Sequence, residues 1–170
     1  MSQFSAHETR PTLANYITIP GIYPAGRLDA DSEGLMLLTD NGQLQHKISH
    51  PDHKEAKTYL VQVEGIPDKE QLHRLSQPLN LGDFTTQPCQ VQHIQPPEWL
   101  WPRTPPIRER IEIPTNWLAI TLKEGKNRQV RRMTAAVGLP TLRLVRSAIG
   151  PYSLASHPLL PGEWLEVTLK

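Results

Sequence analysis

Apolar and polar positions alternate most cleanly over Lys57-Thr58-Tyr59-Leu60-Val61-Gln62-Val63-Glu64-Gly65. Tyr59, Val61 and Val63 fall on one side and Gln62 and Glu64 on the other, which predicts a half-buried strand. Further strands are predicted over residues 117–122 and 142–149, with a last alternating strand over 163–169. The apolar run at 35–39, closed by Asp40-Asn41-Gly42, reads as a short buried strand. Helical spacing replaces alternation in three places. Leu44 and Ile48 stand four apart within 43–49, Leu72 and Leu75 face inward from a helix capped by Asp68, and Val130, Met133 and Val137 line one side of a helix over 128–137. That third helix is expected to take Asn127 as its N-cap and to end at Gly138 and Pro140. Arg10-Pro11-Thr12-Leu13 suits the start of a short helix, and 17–23 a loop leading into a short strand.

Prolines are dense between Pro78 and Pro114, which excludes continuous helix there and leaves short strands around 89–94 and 107–113. Trp99 and Trp101 sit with Arg103 in this segment, where they fit pinning of the loop to the core better than a stacking platform for bases. Strands outnumber helices, helices are interspersed singly, and no βαβ repeat is present. The expected class is α+β, with a mixed, mostly antiparallel sheet and flanking helices. One domain over 1–170 is expected, with a division into two subdomains near residue 65.

Composition changes this picture in few respects. The hydrophobic share is 38% and no apolar run approaches the roughly 20 residues of a membrane-spanning helix, so a non-membrane, cytoplasmic chain is expected. Cys89 is the single cysteine, which removes any intrachain disulfide or CxxC motif and suits a small core residue. The net charge of +1 taken alone argues against a nucleic-acid binder, but the local distribution matters more: Lys123, Lys126, Arg128, Arg131, Arg132, Arg143 and Arg146 face only Glu124 in their stretch of chain. Arginines at the start of the third helix oppose its macrodipole and call for anionic partners, phosphate or carboxylate. His46 and His50 have the i, i+4 spacing of a zinc pair, with His53 nearby. Without HExxH or a cysteine pair, surface histidines explain them and no metal is expected.

The candidate chemistry lies in Gly26-Arg27-Leu28-Asp29-Ala30-Asp31-Ser32-Glu33-Gly34, an acidic loop bounded by glycines. From spacing alone, a solvated turn and a placed carboxylate at Asp29 both fit, and Asp31 and Glu33 read as turn residues. Gly26-Arg27-Leu28-Asp29 followed by Asp31-Ser32-Glu33-Gly34-Leu35 resembles the catalytic motif of the RsuA-type pseudouridine synthases. Lys57-x-Tyr59 resembles the second motif of that family and Glu124-Gly125-Lys126-Asn127-Arg128-Gln129-Val130-Arg131-Arg132-Met133 the third. Arg143-Leu144-Val145-Arg146 resembles its closing motif, and the 99–103 insertion is most similar to a subgroup acting on large-subunit ribosomal RNA.

The resemblance implies the family's bent sheet with a central RNA cleft. It also implies isomerisation of one uridine to pseudouridine in 23S large-subunit ribosomal RNA without metal or other cofactor. By the motif match Asp29 is the essential carboxylate, Arg131 its ion-pair partner and Tyr59 the ring that stacks on the base. Arg27, Lys126, Asn127, Arg128, Arg132, Arg143 and Arg146 form the implied RNA-binding set. A monomer is expected. Two departures from the pattern are that the family's N-terminal S4-like domain and its Lys-Pro strand have no counterpart before Asp29. These keep open a truncated or inactive ribosomal-RNA-binding or assembly protein. A hydrolase using Asp29 and Asp31 as a carboxylate pair and a zinc protein built on His46 and His50 are the other readings.

Overall fold

The computed structural model describes residues 1–50, 55–107 and 112–168. After a single 3-10 turn at Leu13–Asn15, the elements in chain order are β1 (Tyr23–Ala25), β2 (Glu33–Gly34), β3 (Leu37–Thr39), α1 (Gly42–Ser49), β4 (Lys57–Glu64) and α2 (Lys69–Ser76). They continue as β5 (Gln90–Ile94), β6 (Thr115–Leu122), α3 (Gln129–Ala136), β7 (Thr141–Ile149) and β8 (Tyr152–Ser153). The principal sheet runs β2-β7-β4-β6-β5, with β8 also on β7. Every pairing in it is antiparallel except β2 with β7, which is parallel. The α+β class therefore holds, with a mostly antiparallel sheet.

The core forms where α2 and α3 cover one face of the long strands. Val61, Val63, Leu118 and Ile120 from the sheet meet Leu75, Val130 and Met133 from the helices, all nearly or fully buried. The helices are fixed at their starts as their sequences demand: Asp68 accepts from the Gln71 backbone N–H, and Asn41 accepts from those of Gln43 and Leu44. Cys89 packs against this core, donates its thiol to the Leu75 carbonyl oxygen at 3.2 Å and has its pKa pushed up to about 11 by burial, so it is a packing residue. Ala25, Ile48 and Ile149 form a smaller second cluster beneath β1, β3 and α1.

Four expectations are corrected. Residues 35–39 are not one buried strand, because the chain leaves the principal sheet at Gly34 and Leu37–Thr39 pairs instead with β1 in a separate two-stranded sheet. Gln62 does not face solvent: β4 is a central strand covered on both faces, and Gln62 is buried with its amide donating to Thr115 Oγ1 at 3.1 Å. Helix α3 begins at Gln129 with Arg128, not Asn127, in the cap position. The expected strand at 163–169 is exposed, irregular chain through residue 168, since alternation makes a strand only where a neighbouring strand offers its edge. The strand expected at 107–113 falls largely outside the described residues.

Candidate active site

The loop carrying Asp29 is tied at both ends. Ser2 Oγ donates to the Leu28 carbonyl oxygen at 3.0 Å, and the Ser32 backbone N–H donates to the Asp29 carbonyl oxygen at 3.0 Å. Glu33, which the sequence suggested was a solvated turn residue, is its principal anchor. Its carboxylate accepts from Arg143 Nε at 2.8 Å, Arg143 Nη2 at 3.0 Å and Trp101 Nε1 at 2.8 Å, with Arg103 Nε at 3.8 Å. One residue later Gly34 lies so close to the backbone of Arg146 that a side chain has no room there. The Arg143 guanidinium also donates to the Trp101 carbonyl oxygen and lies about equally far from the Trp101 and Trp117 rings. The tryptophans of the proline-rich segment thus pack, and Arg143 is buried in an ion pair rather than available to phosphate. Removing one partner of a pair this buried costs about 3–5 kcal/mol.

Asp29 is half-buried at the mouth of a cavity. Among the described residues the cation within ion-pair distance of Asp29 is Arg128, Nη1 to Oδ2 at 3.4 Å, while Arg131, the partner the motif match implied, acts on it at longer range. Arg131 instead donates through Nη2 to the Asp31 carbonyl oxygen at 3.0 Å and to Ser32 Oγ at 3.3 Å, holding the loop's backbone two residues on. Arg128 also grips Asp31 with both guanidinium ends, at 3.1 and 2.9 Å, and that hydrogen bonding keeps the Asp31 carboxyl below its usual pKa. Arg131 Nη2 also lies 3.7 Å from Asp31 Oδ1, so two arginines at the start of α3 find carboxylates in the loop. A third, Arg132, pairs with Asp83 and lies over the Phe84 ring. Arg128 makes its contacts from a left-handed backbone, φ 53° and ψ 31°, an unfavourable conformation for a residue with a long side chain. Such strain persists where the surroundings impose it, commonly at functional sites.

The cavity, about 270 Å³, is lined by Arg27, Asp29, Lys126, Asn127 and Arg128 at its mouth, with Tyr59, Lys57 and Arg146 on the sheet behind. Tyr59 and Arg146 are direct partners across β4 and β7. A register shift between Thr58 and Tyr59 leaves Ser147 as the extra residue of a bulge, which sets Arg146 opposite the phenol. Seven of the ten site residues expected from the sequence thus line one cavity: Arg27, Asp29, Tyr59, Lys126, Asn127, Arg128 and Arg146. Arg131 braces the loop, while Arg132 and Arg143 are committed to Asp83 and Glu33. Sequence reasoning missed Lys57 and Glu124. Both are buried, and Glu124 accepts from the Gln87 backbone N–H and from Gln129 Nε2, each at 2.7 Å, which shapes the turn before α3. Glycine at 125 beside two charged residues was the available signal.

Asp31 lies outside the cavity lining, so the carboxylate-pair arrangement has no shared site inside it. The His46 and His50 rings lie 4.8 Å apart, His53 falls outside the described residues, and among those described no three potential ligands converge on a point. No helix among them is long and apolar enough to cross a membrane.

A cavity rimmed by cations and backed by an aromatic ring has the lining that nucleic acid requires, cations for phosphate and a ring for a base. The chain belongs to the RNA pseudouridylate synthase family, whose model matches residues 5–136. It is 55% identical to the ribosomal large subunit pseudouridine synthase E of Xanthomonas campestris over 96% of this chain and 88% of the relative. It is also 55% identical to the Vibrio vulnificus protein of that name, over 99% of this chain and 71% of the relative. A pseudouridylate synthase crystal structure superposes with a TM-score of 0.73 at 30% identity, covering 93% of this chain, which spans 62% of that chain's length. The archaeal box H/ACA Nop10-Cbf5 complex shares the fold, at a TM-score of 0.53 and 11% identity.

Proposed function

We propose that this protein converts one specific uridine of large-subunit ribosomal RNA to pseudouridine, in the cytoplasm and on a base drawn out of its stack. The observation that carries the proposal is the placement of Asp29, fixed by Glu33 and Arg131, at the entrance of a cavity with Tyr59 inside. It is supported by 55% identity over nearly the whole chain to enzymes named for large-subunit action. Asp29 acts at the ribose, as nucleophile or base, with Arg128 Nη1 at 3.4 Å from its carboxylate and Arg131 holding its loop in place. Tyr59 stacks on the uracil. Flipping the base costs a few kcal/mol, least in unpaired RNA, so an accessible uridine in a structured segment is the substrate.

The test is pseudouridine mapping of large-subunit ribosomal RNA from cells lacking the protein. One site should be lost and should return when the protein is restored. An unchanged map would overturn the proposal.

Phosphates are held at the rim by Arg27, Lys126, Asn127 and Arg128. The pairs that Arg128 makes with Asp31 and Asp29 are solvent-exposed, worth about 0–1 kcal/mol, so a phosphate can replace them cheaply. Affinity for RNA should therefore fall steeply with salt. Lys126→Ala and Arg128→Ala should each lower the salt slope by about one unit, while Arg143→Ala should lower thermal stability. A salt-independent affinity would remove the rim assignment.

A further inference from the structure

Two buried cations inside the cavity are left without a task by the roles given above. Arg146 is only 3% exposed, and Lys57, two residues before Tyr59 on β4, is 6% exposed. Arg146 Nε donates to the Leu35 carbonyl oxygen at 3.0 Å, but Nη2 is buried and has no hydrogen-bond partner among the described residues. No carboxylate among those residues forms an ion pair with either group. Glu55, whose charge acts on Lys57, is paired with Lys47 at 3.3 Å. Burial lowers the pKa of both groups, and for Lys57 the charge of Arg146 lowers it further. Two glycines of the cavity lining lie beside them. A methyl group at Gly125 would stand 3.8 Å from Lys57 Nζ, and one at Gly26 would stand 4.0 Å from Arg146 Nη1. The Tyr59 phenol interacts with Arg146 and offsets part of its burial, but a phenol is not a counter-ion; buried cations without a carboxylate partner are costly to a fold, and their retention beside an open cavity implies a ligand that supplies negative charge.

A phosphate is the wrong anion for this position. The exposed cations Arg27, Lys126 and Arg128 stand at the mouth, whereas Arg146 faces Tyr59 across the strand pair at the back, where the base itself would lie. We infer that Arg146 and Lys57 are catalytic residues that stabilise the negative charge of the uracil as it leaves the ribose. The inference rests on the proposed uridine isomerisation with Asp29 acting at the ribose. When the C1′–N1 bond breaks, its electron pair goes to N1 and the charge spreads to O2 and O4 of the ring. The detached ring turns and C5 bonds to C1′ as the Asp29 carboxylate that attacked C1′ departs, or, where Asp29 acted as base, as the proton it took from the ribose returns; the C5 proton passes to water and N1 takes up a proton, so the product is an isomer of the substrate. Fixed cations aimed where charge develops lower the barrier without transferring a proton themselves.

The test uses the full chain, an RNA bearing the target uridine and the same RNA with 5-fluorouridine there, whose base is a more acidic leaving group. Single-turnover loss of the target nucleoside, RNA affinity and melting temperature are measured for wild type, Lys57→Met, Lys57→Arg and Arg146→Lys. Lys57→Met should lose about 10²–10³-fold in rate on uridine, the scale of removing one charge-stabilising donor. It should lose distinctly less on 5-fluorouridine, and its RNA affinity should change less than twofold. The two variants that keep the charge should recover much of the rate. Lys57→Gln keeps polarity without charge and takes the place of Lys57→Met should the latter not fold. Equal losses on both substrates, or a rate loss matched by lost affinity, would overturn the inference while leaving the isomerisation intact. A wild-type protein that makes no pseudouridine would instead overturn the function on which it rests.

Discussion

Asp29→Asn is expected to yield a folded protein that binds RNA normally and forms no pseudouridine, with a rate loss on the order of 10⁴-fold or more. The two side chains are nearly the same size, and the single ion pair at stake, 3.4 Å to Arg128 at the half-exposed mouth of the cavity, contributes little to stability. What disappears is the anionic oxygen that attacks the ribose or removes its proton. Asp31→Asn is the control. Asp31 stands outside the cavity lining; its neutralisation loosens the grip of Arg128 and the longer 3.7 Å contact to Arg131, whose bonds to the Asp31 carbonyl oxygen and Ser32 remain, so activity should stay within about tenfold of wild type if its charge serves positioning alone. Single-turnover assays with matched RNA-binding curves decide the matter. An Asp29→Asn enzyme within tenfold of wild type would remove the carboxylate from the mechanism.

Gly34→Ala is expected to damage the fold as well as the site. Gly34 has φ near +118°, which a residue with a side chain strongly disfavours, and an added methyl carbon would overlap the backbone of Arg146, only 2.9 Å from its carbonyl carbon. Backbone does not swing aside as a flexible side chain does, so β2 must separate from β7. The expected loss is about 2–5 kcal/mol by chemical denaturation, with loss of activity because the loop carrying Asp29 ends at this contact. Gly26→Ala provides the comparison. Its φ is also positive, near +85°, but its nearest neighbour would be Arg146 Nη1 at 4.0 Å, so only the backbone preference is violated and about 1 kcal/mol is expected. Equal stability of Gly34→Ala and wild type would show that the close approach is not needed.

These two positions also mark where the sequence was and was not legible. β4, β6 and β7 and the helices α1, α2 and α3 follow the periods read from residues 57–65, 117–122 and 142–149 and from the Leu44/Ile48, Leu72/Leu75 and Val130/Met133 pairs, because their core-facing apolar positions carry the period even where, as on β4, the other face is covered too. Glu33, Gln62 and Glu124 are shielded polar groups whose partners Arg143, Thr115 and Gln87 come from remote parts of the chain, and Lys57 is buried without an ion-pair partner among the described residues. A window that sees only neighbours assigns them to solvent. The apolar run at 35–39 was divided because Gly34, read as a turn residue, is also the point where two backbones meet. The pattern at 163–169 had the right period without a strand edge to receive it. Asp29, Tyr59 and the basic stretch were visible as residue types through their motifs. The exchange of partners between Arg128 and Arg131 was not, since it depends on one left-handed residue at the start of α3.

The clamp on Glu33 also imposes an order in time. Its bidentate partner Arg143 lies 110 residues further along the chain, and the backbone that Gly34 meets comes later still. At the usual 5–20 residues per second of synthesis, the loop emerges on the order of ten seconds before anything exists to hold it. A nascent chain that already contains Asp29 and Tyr59 therefore has no formed catalytic centre until β7 has been made.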